Sequence, residues 1–107
     1  MITDRIRDLE IERVDTVSKR DMYREKMKEI EREYSRDIAQ HAKEYGLTNQ
    51  AARDSASDDM CAKDEAYQQF KRDYETLVLK IAYLDIDLSV ERREFRRWEI
   101  EQTAKEV

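Results

Sequence analysis

Residues 67–98, YQQFKRDYETLVLKIAYLDIDLSVERREFRRW, carry an apolar row that few folds can accommodate. Alternating steps of three and four visit Tyr67, Phe70, Tyr74, Leu77, Ile81, Leu84, Leu88, Glu91, Phe95 and Trp98, and only Glu91 breaks the row. That spacing is one face of a long amphipathic helix, the seam along which helices zip together. Val78, Leu79, Ala82, Tyr83, Ile86 and Val90 lie off this face. One partner helix covers about 100° of surface or a little more, so the 77–90 belt is expected to need at least two neighbours. Leu84, Ile86, Leu88 and Val90 also alternate with Asp85, Asp87 and Ser89, as a strand would. Helical spacing on both sides and the absence of a turn residue favour the helix.

Composition narrows the fold further. The 107 residues hold one Gly and no Pro, with 44% charged and 39% hydrophobic residues. Such usage fits long helices or a coiled coil and argues against a sandwich or an α/β fold. Net charge is −5, from 21 basic and 26 acidic residues closely mixed, so the whole molecule has no attraction for nucleic acid or an anionic membrane. Cys61 is the sole cysteine, which rules out an intramolecular disulfide and points to a reducing compartment. The opening MITDRIRDLEIER lacks the apolar core of a signal peptide. The longest apolar runs, Leu77–Leu79 and Ile81–Leu84, fall far short of the ~20 residues of a spanning helix. A soluble, cytoplasmic protein is the expectation.

The first helix is expected over about 3–45. Ile2, Ile6 and Leu9 start its apolar face, a step of five leads to Val14, and Tyr23, Met27, Ile30, Tyr34, Ile38, Ala42 and Tyr45 restore threes and fours. A step of five rotates the face, so a bend or a break is expected near 10–20. Gly46 suits the left-handed position after a helix end, Leu47 can pack back, and Thr48 suits the N-cap of the next helix. A turn at 46–48 therefore leads into a second helix over about 49–104. Residues 49–66 are small and polar and form its weakest part. Folding back at this turn sets Met27 near Tyr67, Leu9 near Asp85 and Ile2 near Arg92. Residues 93–107 then overhang the first arm. The expected fold is all-α, a single-domain antiparallel helical hairpin over 1–107, coiled-coil-like. Pairing of two copies into a dimeric four-helix bundle would cover the belt and the overhang. Leu77, Ile81, Leu84, Leu88, Phe95 and Trp98 are the expected self-association residues.

Motifs of chemistry are sparse. His41 and Cys61 are each the only residue of their kind, and the residue three before His41 is Ile38, so no Glu-x-x-His di-iron pattern exists. No glycine-rich phosphate loop, serine elbow or calcium loop occurs, and no cofactor, metal or enzymatic activity is expected. Arg20, Arg24, Lys28, Arg32 and Arg36 form a basic row, but Asp21, Glu25, Glu29, Glu33 and Asp37 form an equal acidic row beside it. The pair reads as a solvated face laced by ion pairs. Acidic residues also collect near the hairpin tip at Asp54, Asp58, Asp59, Asp64 and Glu65, where mimicry of a nucleic-acid backbone is a minority reading. Arg92, Arg93, Arg96 and Arg97 around Phe95 and Trp98 are the sharpest cluster. They suit the rim of a homodimer seam, contact with another protein, or nucleic acid held by charge and stacking.

The plan of one helix, a Gly46-Leu47-Thr48 turn into Asn49-Gln50-Ala51-Ala52-Arg53-Asp54, then a long helix ending in Arg92-Arg93-Glu94-Phe95-Arg96-Arg97-Trp98, resembles small helical-hairpin accessory proteins encoded by phages and prophages. The resemblance implies an accessory role near DNA replication, recombination or host takeover, with no catalytic residues. The expected function is a non-enzymatic adaptor or inhibitor that binds through exposed helix faces. A nucleic-acid-binding accessory protein and a purely structural oligomer are the alternatives.

Overall fold

The computed structural model describes residues 2–106 and is all-α. The two end positions of the expected 1–107 domain lie outside the described residues. The helices are α1 (Ile2–Gln40), α2 (Gln50–Lys63) and α3 (Glu65–Glu106), and no strand occurs among the described residues. The strand-like alternation at 84–90 is therefore helical.

The turn forms where the glycine predicted it, with two differences. α1 closes at Gln40 rather than 45, and residues 41–46 are turns, although Tyr45 N–H still donates to the His41 carbonyl at 3.0 Å. Gly46 sits at φ +67°, Leu47 N–H donates to Ala42 O at 2.9 Å and Gly46 N–H to Lys43 O at 3.3 Å. These paired bonds satisfy carbonyls that a helix end leaves open. A Cβ at Gly46 would meet no atom within 4 Å, so the left-handed backbone alone calls for glycine. The N-cap of α2 is Asn49, not Thr48: its side-chain oxygen accepts from Ala52 N–H at 2.8 Å. Asparagine is the stronger cap, so the helix starts one residue later than expected.

The second arm is two helices. Asp64 takes extended backbone (φ −81°, ψ 115°) and its N–H donates to Cys61 O. Its carboxylate then accepts from Tyr67 N–H at 2.8 Å and so caps α3. The weak 49–66 segment thus ends in a capped break.

α1, by contrast, runs unbroken through residues 10–20. Its inward row is Ile2, Ile6, Leu9, Arg13 and Thr16, followed by Arg20, Tyr23, Met27, Ile30, Tyr34 and Ile38, each half-buried or buried. Polar side chains hold the heptad through the apparent step of five, while Val14 points out at 66% exposure.

The chain packs as two units, Met1–Lys19 with Thr76–Val107, and Arg20–Glu75. In the second unit Tyr23 faces Phe70 with ring centroids 6.2 Å apart, and Lys26 Nζ lies 5.4 Å from the Phe70 ring. Tyr67 Oη donates to Glu31 at 2.7 Å and Tyr34 Oη to Asp64 at 2.5 Å. Ile38 and Cys61 are its buried apolar residues. These pairs run antiparallel, as the hairpin requires.

Candidate interaction surface

The candidate surface belongs to the unit built from residues 2–19 and 76–106. Leu84 and Leu88 form its core with Leu9, and Ile6 packs against them. Ion pairs line the edges: Glu12–Lys80 at 3.2 Å, Glu10–Arg92 at 2.9 Å, Arg5–Glu91 at 4.0 Å, and Arg13 to both oxygens of Asp85 at 2.5 and 3.4 Å. The Arg13 hydrogen bond, helped by the charges of Arg13 and Arg92, holds the Asp85 carboxyl below the usual carboxylate range against some desolvation. Most of these groups are half-exposed, so they fix register more than they add stability.

This arrangement redistributes the expected self-association residues. Ile81, Leu84 and Leu88 are buried within the chain's own helix pair, and Leu77 and Phe95 are half-buried. Trp98 keeps 45% exposure, its ring stacked on Phe95 at 5.9 Å and 22°. Ile2 and Thr3 join Phe95 and Trp98 around a notch of about 420 Å³, so the first arm reaches the segment expected to overhang. Ile100 stays 62% exposed.

The arginine cluster is divided as well. Arg92 turns to Glu10 and Arg93 Nη2 reaches Ser89 Oγ at 3.5 Å. Arg96 and Arg97 are exposed. Helical periodicity sends the four in different directions: Arg93 and Arg97 share one face, whereas Arg92 borders the inner seam.

That other face carries residues that the sequence placed off the first seam but not among the expected contact residues. Leu79, Tyr83, Ile86 and Val90 are 57%, 61%, 59% and 42% exposed. Their steps of four, three and four make a second seam, continued by Arg93, Arg97 and Ile100. It lies roughly 160° around α3 from the first. The belt was visible as an excess of apolar residues, but its own heptad emerges only after the residues of the first seam are removed.

Among the described residues no cluster of three or more His, Cys, Asp or Glu could hold a metal, and no helix is long and apolar enough to cross a membrane. Burial, with carboxylates nearby, pushes the Cys61 thiol up, away from the reactive thiolate. His41 lies between Asp37 (3.7 Å) and Glu44 (3.2 Å) beside the Tyr45 ring, at the end of α1. Comparison with protein-family models, curated proteins and solved structures finds no match to this chain.

Proposed function

We propose that this chain is a non-enzymatic protein-interaction module, an adaptor or inhibitor in the cytoplasm, whose contact surface is the outer row of α3. One observation carries the reading: Leu79, Tyr83 and Ile86 are more than half exposed at seam spacing on a helix whose opposite face is already filled. A contiguous apolar stripe rimmed by charge is the mark of a binding surface. Self-association as a four-helix bundle belongs to the same reading, since this unit offers two helices per copy and an unfilled seam. The resemblance to phage-encoded accessory proteins supplies a setting for such a module. The nucleic-acid alternative draws less support, because Arg92 is paired with Glu10 and the face of Trp98 is stacked on Phe95.

The test is a photo-cross-linking residue placed at Ile86 and, as a control, at exposed Arg36 in the other unit. Irradiation in cells is expected to give protein adducts at position 86 and far fewer at 36. A folded protein that forms no adduct at 86, with itself or with any other chain, overturns the proposal.

A further inference from the structure

We propose that the occupant of the outer row is a second copy of this chain, packed antiparallel, so that the α3 helices cross at the level of residues 82–87. This rests on the interaction reading above and commits it to one partner. The apolar part of the row is self-complementary in size. Run antiparallel about a two-fold axis between Leu84 and Asp85, Leu79 meets the second copy's Val90 and Tyr83 meets the second copy's Ile86, each twice. All four exposed apolar residues are then covered by one another.

The same register sets Lys80 beside the second copy's Asp87, giving two opposite-charge contacts at the rim. Lys80 already reaches Glu12 at 3.2 Å, so in the dimer its ammonium would lie between Glu12 and the second copy's Asp87. Ala82 falls near the axis, where a small side chain lets the helices approach closely.

Parallel pairing fails on charge. Arg93 and Arg97 continue the row, and in parallel each would face its own counterpart and bury like charges in the seam. Antiparallel pairing sets Arg93 against the second copy's Thr76 and brings only Arg97 to an arginine, the second copy's Arg72, at the outer ends of the contact. An interface of four apolar residues per copy is small, so the dimer belongs to the weak, concentration-dependent class.

Sedimentation equilibrium over a wide concentration range, with Ile86→Glu beside the wild type, is the first arm of the test. The wild type is expected to dimerise, and Ile86→Glu to weaken association at least about tenfold while far-UV circular dichroism stays unchanged. The second arm measures orientation by spin labels on Ile100→Cys in a Cys61→Ala background. The antiparallel dimer places the two labels about 45 Å apart, from 1.5 Å of rise per residue. A parallel pair places them about 10 Å apart, one interhelical spacing.

A short distance overturns the antiparallel arrangement, and undiminished association of Ile86→Glu overturns the choice of row. A wild type monomeric throughout, with Ile86 photo-adducts to another protein, overturns the second copy and leaves the interaction reading standing. A monomer with no adducts ends both.

Discussion

The two packing units solve the same problem, two antiparallel helical segments with too few apolar residues, by different chemistry. The unit of residues 2–19 and 76–106 uses an aliphatic core of Leu9, Leu84 and Leu88 flanked by cross-helix ion pairs. The unit of residues 20–75 uses aromatic rings and phenol–carboxylate bonds, Tyr34 to Asp64, Tyr67 to Glu31 and Tyr45 to Asp37. The first leaves a row of large apolar side chains outside. The second faces water with mixed charge, as in the bond from Arg32 to Glu25 at 2.5 Å. The outer row can therefore change without touching either core.

The largest effect expected comes from emptying each core in turn. Leu88 is 2% exposed and Ile38 is 1% exposed. Truncating either to alanine is expected to cost about 3 kcal/mol, the middle of the range for buried aliphatic residues. Hydrogen exchange should show the loss at amides of residues 76–106 for Leu88→Ala and at amides of 20–75 for Ile38→Ala. Equal loss in both places for either variant would erase the distinction between the units.

The second effect is a response to pH. Tyr67 is raised above the ordinary tyrosine value by burial and by its bond to Glu31, and Tyr34 and Tyr45 are raised by neighbouring Asp64 and Asp37. A phenol raised in the folded state stabilises below its unfolded pKa, about 10, and that contribution disappears as pH climbs through the folded value. The unit of residues 20–75 should therefore weaken in base. Asp85 and Asp64, one in each unit, are lowered by hydrogen bonds from Arg13 and Tyr34. Their contribution is present above the unfolded value of about 4 and is lost as pH falls through the folded one, so acid should weaken both units. Amide exchange across an alkaline series checks the asymmetry, and Tyr67→Phe should flatten it.

These responses show why part of the molecule was legible in the sequence and part was not. The α3 seam could be read from Tyr67 to Phe95 because nearly every inward position is apolar, and Gly46 announced the turn because one backbone conformation has one preferred residue. The course of α1 was obscured because Arg13, Thr16 and Arg20 occupy inward positions. A reading that tracks only apolar side chains steps to Val14 and infers a bend. Asp64 was hidden differently: Ala, Lys and Glu around it are all good helix formers, and the break there is held by its cap on Tyr67 N–H together with a bond from Tyr34, thirty residues away. The candidate surface was half visible. The width of the belt called for two neighbours, but which face the chain itself would fill depended on the register of the hairpin.

Smaller effects are expected at the turn, which lies within the unit of residues 20–75. Asn49→Ala removes the acceptor for Ala52 N–H and should cost about 1 kcal/mol. Gly46→Ala should cost a similar amount, about 1 kcal/mol, through its positive φ and not through any clash. Urea denaturation with unchanged m-values would check both. Neither should alter association through the outer row of α3.

The smallest expected change has the opposite sign. Thr16 is 3% exposed, and its hydroxyl donates to the Glu12 carbonyl of its own helix at 2.7 Å. Such back-bonding slightly weakens a helix, and removing it orphans nothing, because a carbonyl at this helical position already accepts the backbone N–H four residues on. Thr16→Val keeps the branched shape and gives the inward row a methyl group where a hydroxyl stood. A gain of about 0.5 kcal/mol is expected, less than full burial of one methylene would give, since one hydrogen bond is lost. Chemical denaturation of the two proteins measures it directly. A loss of about 1 kcal/mol instead would mean that the hydroxyl stabilises this core, and the contrast between an aliphatic unit and a hydroxyl-bonded one would narrow.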